Sequence, residues 1–543
     1  MKKVIILLIL ILSIIVTSIF LLRRARNRSF WQKFSREKIK DVRFGINHPV
    51  DKYINDMSKS GAGWISMSPI VVWGVVEPTR GNYNWKSIDE IIKKTQEMGV
   101  EPTLTIMPVS PWATPWSFSQ YKKGRLGVCD YPNDIKAWKN FLRAMAERYD
   151  NDGIDDMDGL KAPVRNWHIL EEWPTFWYDR GDSTPDEPAN AKRYVNLLKA
   201  SSEVIKEVIP NARIILCGFA SDKVRLIAFV DGFINDSDGG IFHSINFSRE
   251  QLESLTEFRQ LKADIEYILD KGRNYFDIVD IHLQDPKICF TEGKIRWIMY
   301  KMKNLGYYKP IWVVESGGPF KRFKGDITSR AGDPLFGEFT FKEHAEFVVK
   351  MHVLSYALGV ERFQWNWIAS EDSFWDGPFR LIPLLDVNGR PTPAYYTYFI
   401  LQYYMNGFDD IREINVEEDV RLFRIDVSGK TIYVAWSSGE VTVDLSSIID
   451  SSKVRIIHIV TRVDAKNNPI MVKDDTVDVS RVKISVTPIF IEKAEKLKRL
   501  RYQYVVFNRK IMISSFQFIS VEYYCQVENK KLLSFNYYLI DVY

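Results

Sequence analysis

The chain is poor in cysteine and arranges none of it in a recognisable pattern. Its four cysteines, Cys129, Cys217, Cys289 and Cys525, show no C-x-x-C spacing, and no pair of histidines is placed to complete a zinc site. Buried thiols are expected, with no metal ligand set. Phosphate loop, dinucleotide fingerprint and Ser-His-Asp spacing are also missing, so no cofactor is expected and triad hydrolysis is set aside. Charge of one sign is scarce on the body of the chain. The net charge is +5, yet Lys2, Lys3, Arg23, Arg24, Arg26 and Arg28 place six positive and no negative charges in residues 1–28, and residues 496–543 are basic as well. A nucleic-acid-binding face would need that charge on the folded domain, so nucleic acid is not expected as a partner.

What is present is a long chain of globular composition: 543 residues, 46% hydrophobic and 26% charged, enough for one large domain with smaller ones attached. Residues Val4–Leu22 form an apolar run broken only by Ser13, Thr17 and Ser18. At about 1.5 Å per residue a helix of this length spans a bilayer core. With no A-x-A-like site before Arg23, the run reads as an uncleaved transmembrane signal anchor, the alternative being a cleaved signal peptide. A catalytic domain outside the cytoplasm is the matching expectation. No feature specifies an oligomeric state.

Between about residues 41 and 400, short β-rich runs alternate with amphipathic stretches, the pattern of a parallel α/β fold. Eight strands are expected: Arg43–Ile46, Trp64–Ser68, Thr103–Met107, Asn166–Leu170, Arg213–Cys217, Ile278–Leu283, Ile311–Val314 and Phe363–Trp365. Eight is the number that closes a (β/α)8 TIM barrel. Ile135, Trp138, Leu142 and Met145 share one face of an intervening helix, and Ile88–Met98, Ala191–Val208 and Phe341–Leu358 supply others. Fifteen of the sixteen tryptophans lie between Trp31 and Trp375, and beyond residue 405 the text turns β-branched and alternating, as in Thr431–Trp436 and Val482–Val486. The division expected is residues 1–28 as anchor, 29–404 as barrel, 405–495 as an antiparallel β-sandwich-like domain and 496–543 as a tail of unassigned role.

Barrel chemistry sits at the C-terminal ends of the strands, and two of those ends carry glutamate. The fourth strand runs Asn166-Trp167-His168-Ile169-Leu170 into Glu171-Glu172-Trp173, and the seventh runs Ile311-Trp312-Val313-Val314 into Glu315. Cleavage of a glycosidic bond needs one carboxylic acid to protonate the leaving oxygen and one carboxylate to attack or to activate water. A separation of about 5–5.5 Å retains anomeric configuration and roughly 6.5–9.5 Å inverts it. The loop Asp150–Gly159 is acidic but does not fit an EF-hand, and a solvated turn is expected there.

Gly61-Ala62-Gly63-Trp64-Ile65, Glu77-Pro78, Gly81-Asn82-Tyr83-Asn84-Trp85 and Gly99, together with Pro111-Trp112-Ala113-Thr114 and Thr487-Pro488-Ile489-Phe490-Ile491-Glu492, resemble clan A glycoside hydrolases, the β-xylosidase-like and β-galactosidase-like members. The resemblance covers nearly the whole barrel. It implies a retaining enzyme acting on a β-linked carbohydrate, with Glu172 as general acid/base and Glu315 as nucleophile. It also implies that Glu171, His282 and Gln284 contact substrate and that Trp112, Trp173 and Trp367 offer faces to sugar rings. The chain departs from the clan where Glu171 replaces the usual Asn, where Ser66 or Met67 replaces a strand-two Arg, and where a Tyr near the nucleophile is not matched. The competing expectation is a non-catalytic cell-surface carbohydrate-binding protein that inherited the barrel.

Overall fold

The computed structural model describes residues 41–47, 61–66, 70–123, 128–175, 177–242, 245–319, 339–366, 384–386 and 388–494, and the backbone alone of residues 322–323, 338, 509–513, 516–527 and 530–541. Eight strands form the centre: β1 (Asp41–Asn47), β2 (Ala62–Ser66), β3 (Glu101–Met107), β4 (Asn166–Ile169), β5 (Arg213–Ile215), β6 (Val279–Asp280), β7 (Ile311–Val313) and β8 (Val360–Asn366). They pair in parallel in the order β5-β4-β3-β2-β1-β8-β7-β6. The seam between β5 and β6 is closed by a parallel bridge between Ile215 and Ile278, with Leu216 N donating to the Ile278 carbonyl at 3.0 Å. All eight expected strands are present, although the sixth is interrupted and resumes as Leu283–Gln284 beside Ser316–Gly317.

Strand residues alternate between the helix-facing side and the barrel interior. Phe44, Ile46, Ile65, Trp167, Ile169, Val279, Val313, Phe363 and Trp365 belong to the main core shared with the helices. The inward set changes character with height. At the bottom, Arg213 and Asn166 both hydrogen-bond Glu101, and Arg362 lies 3.3 Å from its other oxygen with the guanidinium 4.0 Å above the Trp312 ring. Above them Trp64 and Trp312 meet edge to face at 5.0 Å and pack with Ile215, Ile278 and Val314. Higher still the interior turns polar, with Ser66 hydrogen-bonded to Gln364 across β1. That crossing is possible because β1 has glycine there: a Cβ on Gly45 would stand 2.5 Å from Gln364 Cγ.

Helices Lys86–Glu97, Ile135–Arg148, Ala189–Val208 and Phe341–Ala357 surround the barrel as expected. Asp134 caps the second of these by accepting from Ala137 N, and Thr340 with Glu343 forms a capping box on the last. Helix Pro393–Met405 is buried on nearly every side because it lies between the barrel and a six-stranded antiparallel sheet. Tyr404 stacks on Phe490 of that sheet at 5.2 Å, and Thr397 donates to the Val460 carbonyl at 2.9 Å. The sheet alternates with period two: Phe423, Ile425, Val434 and Trp436 join the barrel's core. Leu422, Tyr433, Ala435 and Ile491 form a second core beneath the pair Val441–Val443 and Val482–Ile484. The backbone of the tail forms a three-stranded antiparallel meander, Arg509–Ile513, Phe516–Val527 and Lys530–Asp541. Among the described residues no helix is long and apolar enough to cross a membrane, and Val4–Leu22 lies outside them.

The aromatic layer carries the barrel's lower half. Trp312→Ala would remove a fully buried indole from between Trp64 and Arg362. A loss of about 3–5 kcal/mol in urea unfolding is expected, and a loss below about 1 kcal/mol would show that the layer is not needed.

Candidate active site

A regular strand sends neighbouring side chains to opposite faces, yet Glu171 and Glu172 both reach one imidazole. Glu171 Oε1 is 3.3 Å from His282 Nε2, and Glu172 Oε1 is 3.5 Å from His282 Nδ1. The backbone makes this possible by leaving the strand. Leu170 has φ 75° and Glu172 φ 33°, a left-handed turn that non-glycine residues enter at a cost of about 1–3 kcal/mol each. Trp173 N then donates to the Gly218 carbonyl at 2.6 Å and pins the chain beyond the turn.

Glu315 arrives from β7 against the same ring, its Oε2 3.4 Å from His282 Nδ1. Its other oxygen accepts from Gln284 Nε2 at 2.7 Å and Asn366 Nδ2 at 2.8 Å. Both donors are themselves held. Asn366 Oδ1 accepts from Asn47 Nδ2 at 2.5 Å, and the Gln284 backbone is bracketed by Ser221 Oγ at 3.0 Å. The fully buried Lys294 donates to Ser221 Oγ and to the His282 carbonyl, and pairs with Asp285 at 2.8 Å. Asp280 fixes the approach of β7 by accepting from Val314 N at 2.9 Å. Gly218 leaves room for the ring: a Cβ there would lie 2.0 Å from His282 Nε2.

Four carboxylates therefore surround one histidine. Burial alone would push the His282 imidazole down, but Asp280, Glu172 and Glu315 together raise it well above its ordinary value, which favours the protonated ring. His168 behaves oppositely: it is pushed down to about 4, burial outweighing Asp280, with the His282 charge adding to the fall. Glu315 is pushed up to about 7 by burial, with Glu172 and Asp280 adding to the rise and His282 and the Asn366 hydrogen bond opposing it. Glu171 is 2% exposed and neither of its oxygens has a hydrogen-bond partner. Burial holds its carboxyl well above the ordinary range, Glu315, Asp280 and Glu172 reinforcing what His282 resists.

The structure brings Glu171, Glu172, His282, Gln284 and Glu315 together at the barrel mouth. Trp112 lies half-buried in the loop after β3, edge-on to Trp73 at 5.0 Å and donating to the Glu77 carbonyl. Trp173 is corrected from an open sugar platform to a core residue: it is 1% exposed and packs on Trp177 and Tyr194. Trp367 lies outside the described residues. Of the two residues standing where a strand-two Arg is expected, Ser66 hydrogen-bonds Gln364 and Met67 lies outside the described residues. Residues not singled out from sequence are Asn47, His168, Asp280, Gln364 and Asn366. Their signal was the period of two: in Arg362-Phe363-Gln364-Trp365-Asn366 every second residue is polar inside a buried strand. Glu171, His282 and Glu315 each offer a ligand atom within 4.8 Å of one another, as do Asp150, Asp152 and Asp156. The first group is the carboxylate–histidine cluster itself. In the second, Asp156 accepts from Asn151 N and Gly153 N and so closes the expected turn.

No protein-family profile matches the chain, and no curated protein sequence does. Solved structures match in fold. A family 39 glycoside hydrolase from the gut symbiont Bacteroides cellulosilyticus WH2 superposes with a TM-score of 0.53 at 16% identity, over 84% of this chain and 81% of that one. BuGH86, solved in complex with neoagarooctaose, gives a TM-score of 0.51 at 11% identity, over 90% of this chain and 81% of that one. At such identities the likeness is one of fold, that of a (β/α)8 barrel.

Proposed function

We propose that the chain is a retaining glycoside hydrolase cleaving O-glycosidic bonds of a β-linked oligo- or polysaccharide, with Glu315 as nucleophile and Glu172 as acid/base. One observation carries the reading: Glu172 from the end of β4 and Glu315 from the end of β7 face a single nitrogen, His282 Nδ1, at 3.5 and 3.4 Å. The facing oxygens therefore lie at most about 7 Å apart, a bound that admits the short spacing of retaining enzymes. In the first step the Glu315 carboxylate attacks the anomeric carbon, the glycosidic C–O bond breaks, and Glu172 gives its proton to the departing oxygen. In the second, water attacks the same carbon, Glu172 takes up its proton, and Glu315 leaves as carboxylate. Gln284 and Asn366 hold the nucleophile's second oxygen through both steps. The fold likeness to glycoside hydrolases and the resemblance of the strand ends support the assignment.

Hydrolysis of a panel of aryl β-glycosides by the fragment from residue 29 tests it. Glu315→Gln should fall by at least about 10³-fold on every substrate, whereas Glu172→Gln should keep substantial activity on substrates whose leaving group needs no protonation. Glycan binding without hydrolysis of any substrate would favour the binding-protein reading instead.

The nucleophile attacks only as the carboxylate, and burial keeps Glu315 protonated up to about 7. For the free enzyme, kcat/KM should accordingly rise as pH passes upward through about 7. An acid limb in the ordinary glutamate range, about 4.3, would contradict this. His282→Gln removes the cation that opposes the rise, so its acid limb should move to higher pH.

The apolar run Val4–Leu22 supports a membrane-anchored domain outside the cytoplasm, where polymeric glycans are met. Protease added to intact cells should release the barrel domain, and full protection would reject that placement.

A further inference from the structure

Trp116 is the largest exposed aromatic side chain among the described residues, at 41% exposure, and it is not loose. Its ring stacks on Tyr178 with centroids 3.8 Å apart and planes at 29°. The two rings come from neighbouring loops. Trp116 lies on the short helix Pro115–Lys122 between β3 and Ile135–Arg148, and Tyr178 on the segment between β4 and Ala189–Val208. Both loops leave the C-terminal ends of their strands, on the face that carries the two glutamates, and Tyr178 follows Glu172 by only six residues.

The pair is braced from below. Tyr178 N donates to the Cys129 carbonyl at 2.7 Å, Trp177 bridges Cys129, and Trp177 packs on the buried Trp173 at 5.3 Å. Two residues beyond Tyr178, Arg180 makes a two-pronged contact with Asp130 Oδ1, at 3.1 Å through Nε and 2.7 Å through Nη2, with the guanidinium partly open to solvent. A rigid aromatic face bordered by charged hydrogen-bonding groups matches a pyranose ring, whose C–H face is apolar and whose edge carries hydroxyls.

Resting on the glycosidase reading above, we infer that Trp116 and Tyr178 form a distal sugar-binding platform on the leaving-group side of the cleft, making the preferred substrate a chain several units long. The side follows from position. The platform rises from β3 and β4, and β4 delivers Glu172, the group that protonates the departing oxygen, so the departing chain runs out over that flank. Sugar units bound there contribute to the binding of long substrates and nothing to the binding of a substrate that ends before them.

The test measures kcat/KM on β-1,4-linked xylo-, gluco- and manno-oligosaccharides of two and six units, for the wild type, Trp116→Ala, Trp116→Phe and Tyr178→Ala. The ratio of six-unit to two-unit kcat/KM should fall roughly five- to tenfold in Trp116→Ala and in Tyr178→Ala, and stay within about twofold of wild type in Trp116→Phe, which keeps a ring. An unchanged ratio in Trp116→Ala, whether activity is intact or uniformly lowered, overturns the platform and leaves the glycosidase reading standing. Should no substrate be hydrolysed, that reading fails, and calorimetric titration of the same six-unit oligosaccharides decides the platform separately. Weaker binding to Trp116→Ala than to wild type supports it; equal binding, or no binding to either, overturns it.

Discussion

The mouth of this barrel is organised by a buried positive charge. His282 is fully enclosed, with Asp280 and Glu171 against Nε2 and Glu172 and Glu315 against Nδ1, and nothing else cationic touches those carboxylates in the described residues. An isolated ion in such a place would cost several kcal/mol, and an uncompensated set of carboxylates more. Cation and carboxylates are thus mutually required. That requirement reaches outward: Gly218 must lack a side chain so that the ring fits, Lys294 must hold the His282 carbonyl, and Asp280 must span from the ring to the backbone just ahead of Glu315. Three strands are positioned by one imidazole.

The same constraint explains the vertical division of the barrel interior. The lower layers, with Trp64, Trp312, Ile215 and Ile278, exclude water and supply the burial that a parallel barrel needs. Placed on that dry floor, the upper layer of Ser66, Thr105, His168, Asp280 and Gln364 feels a low dielectric, where each polar contact weighs more. The opposite behaviour of two histidines only one Asp280 oxygen apart follows from it. Four carboxylates face the two nitrogens of His282 and raise it, whereas His168, with only Glu171 and Asp280 against its nitrogens, is held down by burial and by the neighbouring His282 charge.

Much of this was legible in the residues, and the boundary of legibility has a physical cause. Strand ends in Glu172 and Glu315 stand out because an apolar run that stops on a carboxylate is uncommon, and the alternation of β and helical periods announces the barrel. Asp280 and Asn366 were less visible because they sit within strands, where a polar residue in an alternating pattern reads as surface. In a closed barrel the second face is an interior rather than solvent, so Asp280 of β6 and Gln364 and Asn366 of β8 are buried in the upper layer. Trp173 fails in the other direction. Following directly on Glu172, it looks placed to meet a sugar, but the left-handed turn at Glu172 sends the next residue into the core beside Tyr194. Composition carries no record of that turn.

Glu171 shows how a departure from a pattern can preserve a chemistry. Four ionised carboxylates around one imidazolium would leave the pocket at three negative charges, which burial opposes, and Glu171, buried with no hydrogen-bond donor to either oxygen, is held well above the ordinary carboxylate range. A protonated carboxyl presents one O–H donor and a carbonyl acceptor, much the same inventory as a side-chain amide. Glutamate here and asparagine in the resembling enzymes therefore offer a neighbouring group the same pair of functions, but glutamate does so only while burial keeps its proton in place. Burial holds that proton, with Glu315, Asp280 and Glu172 reinforcing it against His282, and the character of position 171 is thereby tied to the protonation of the whole cluster.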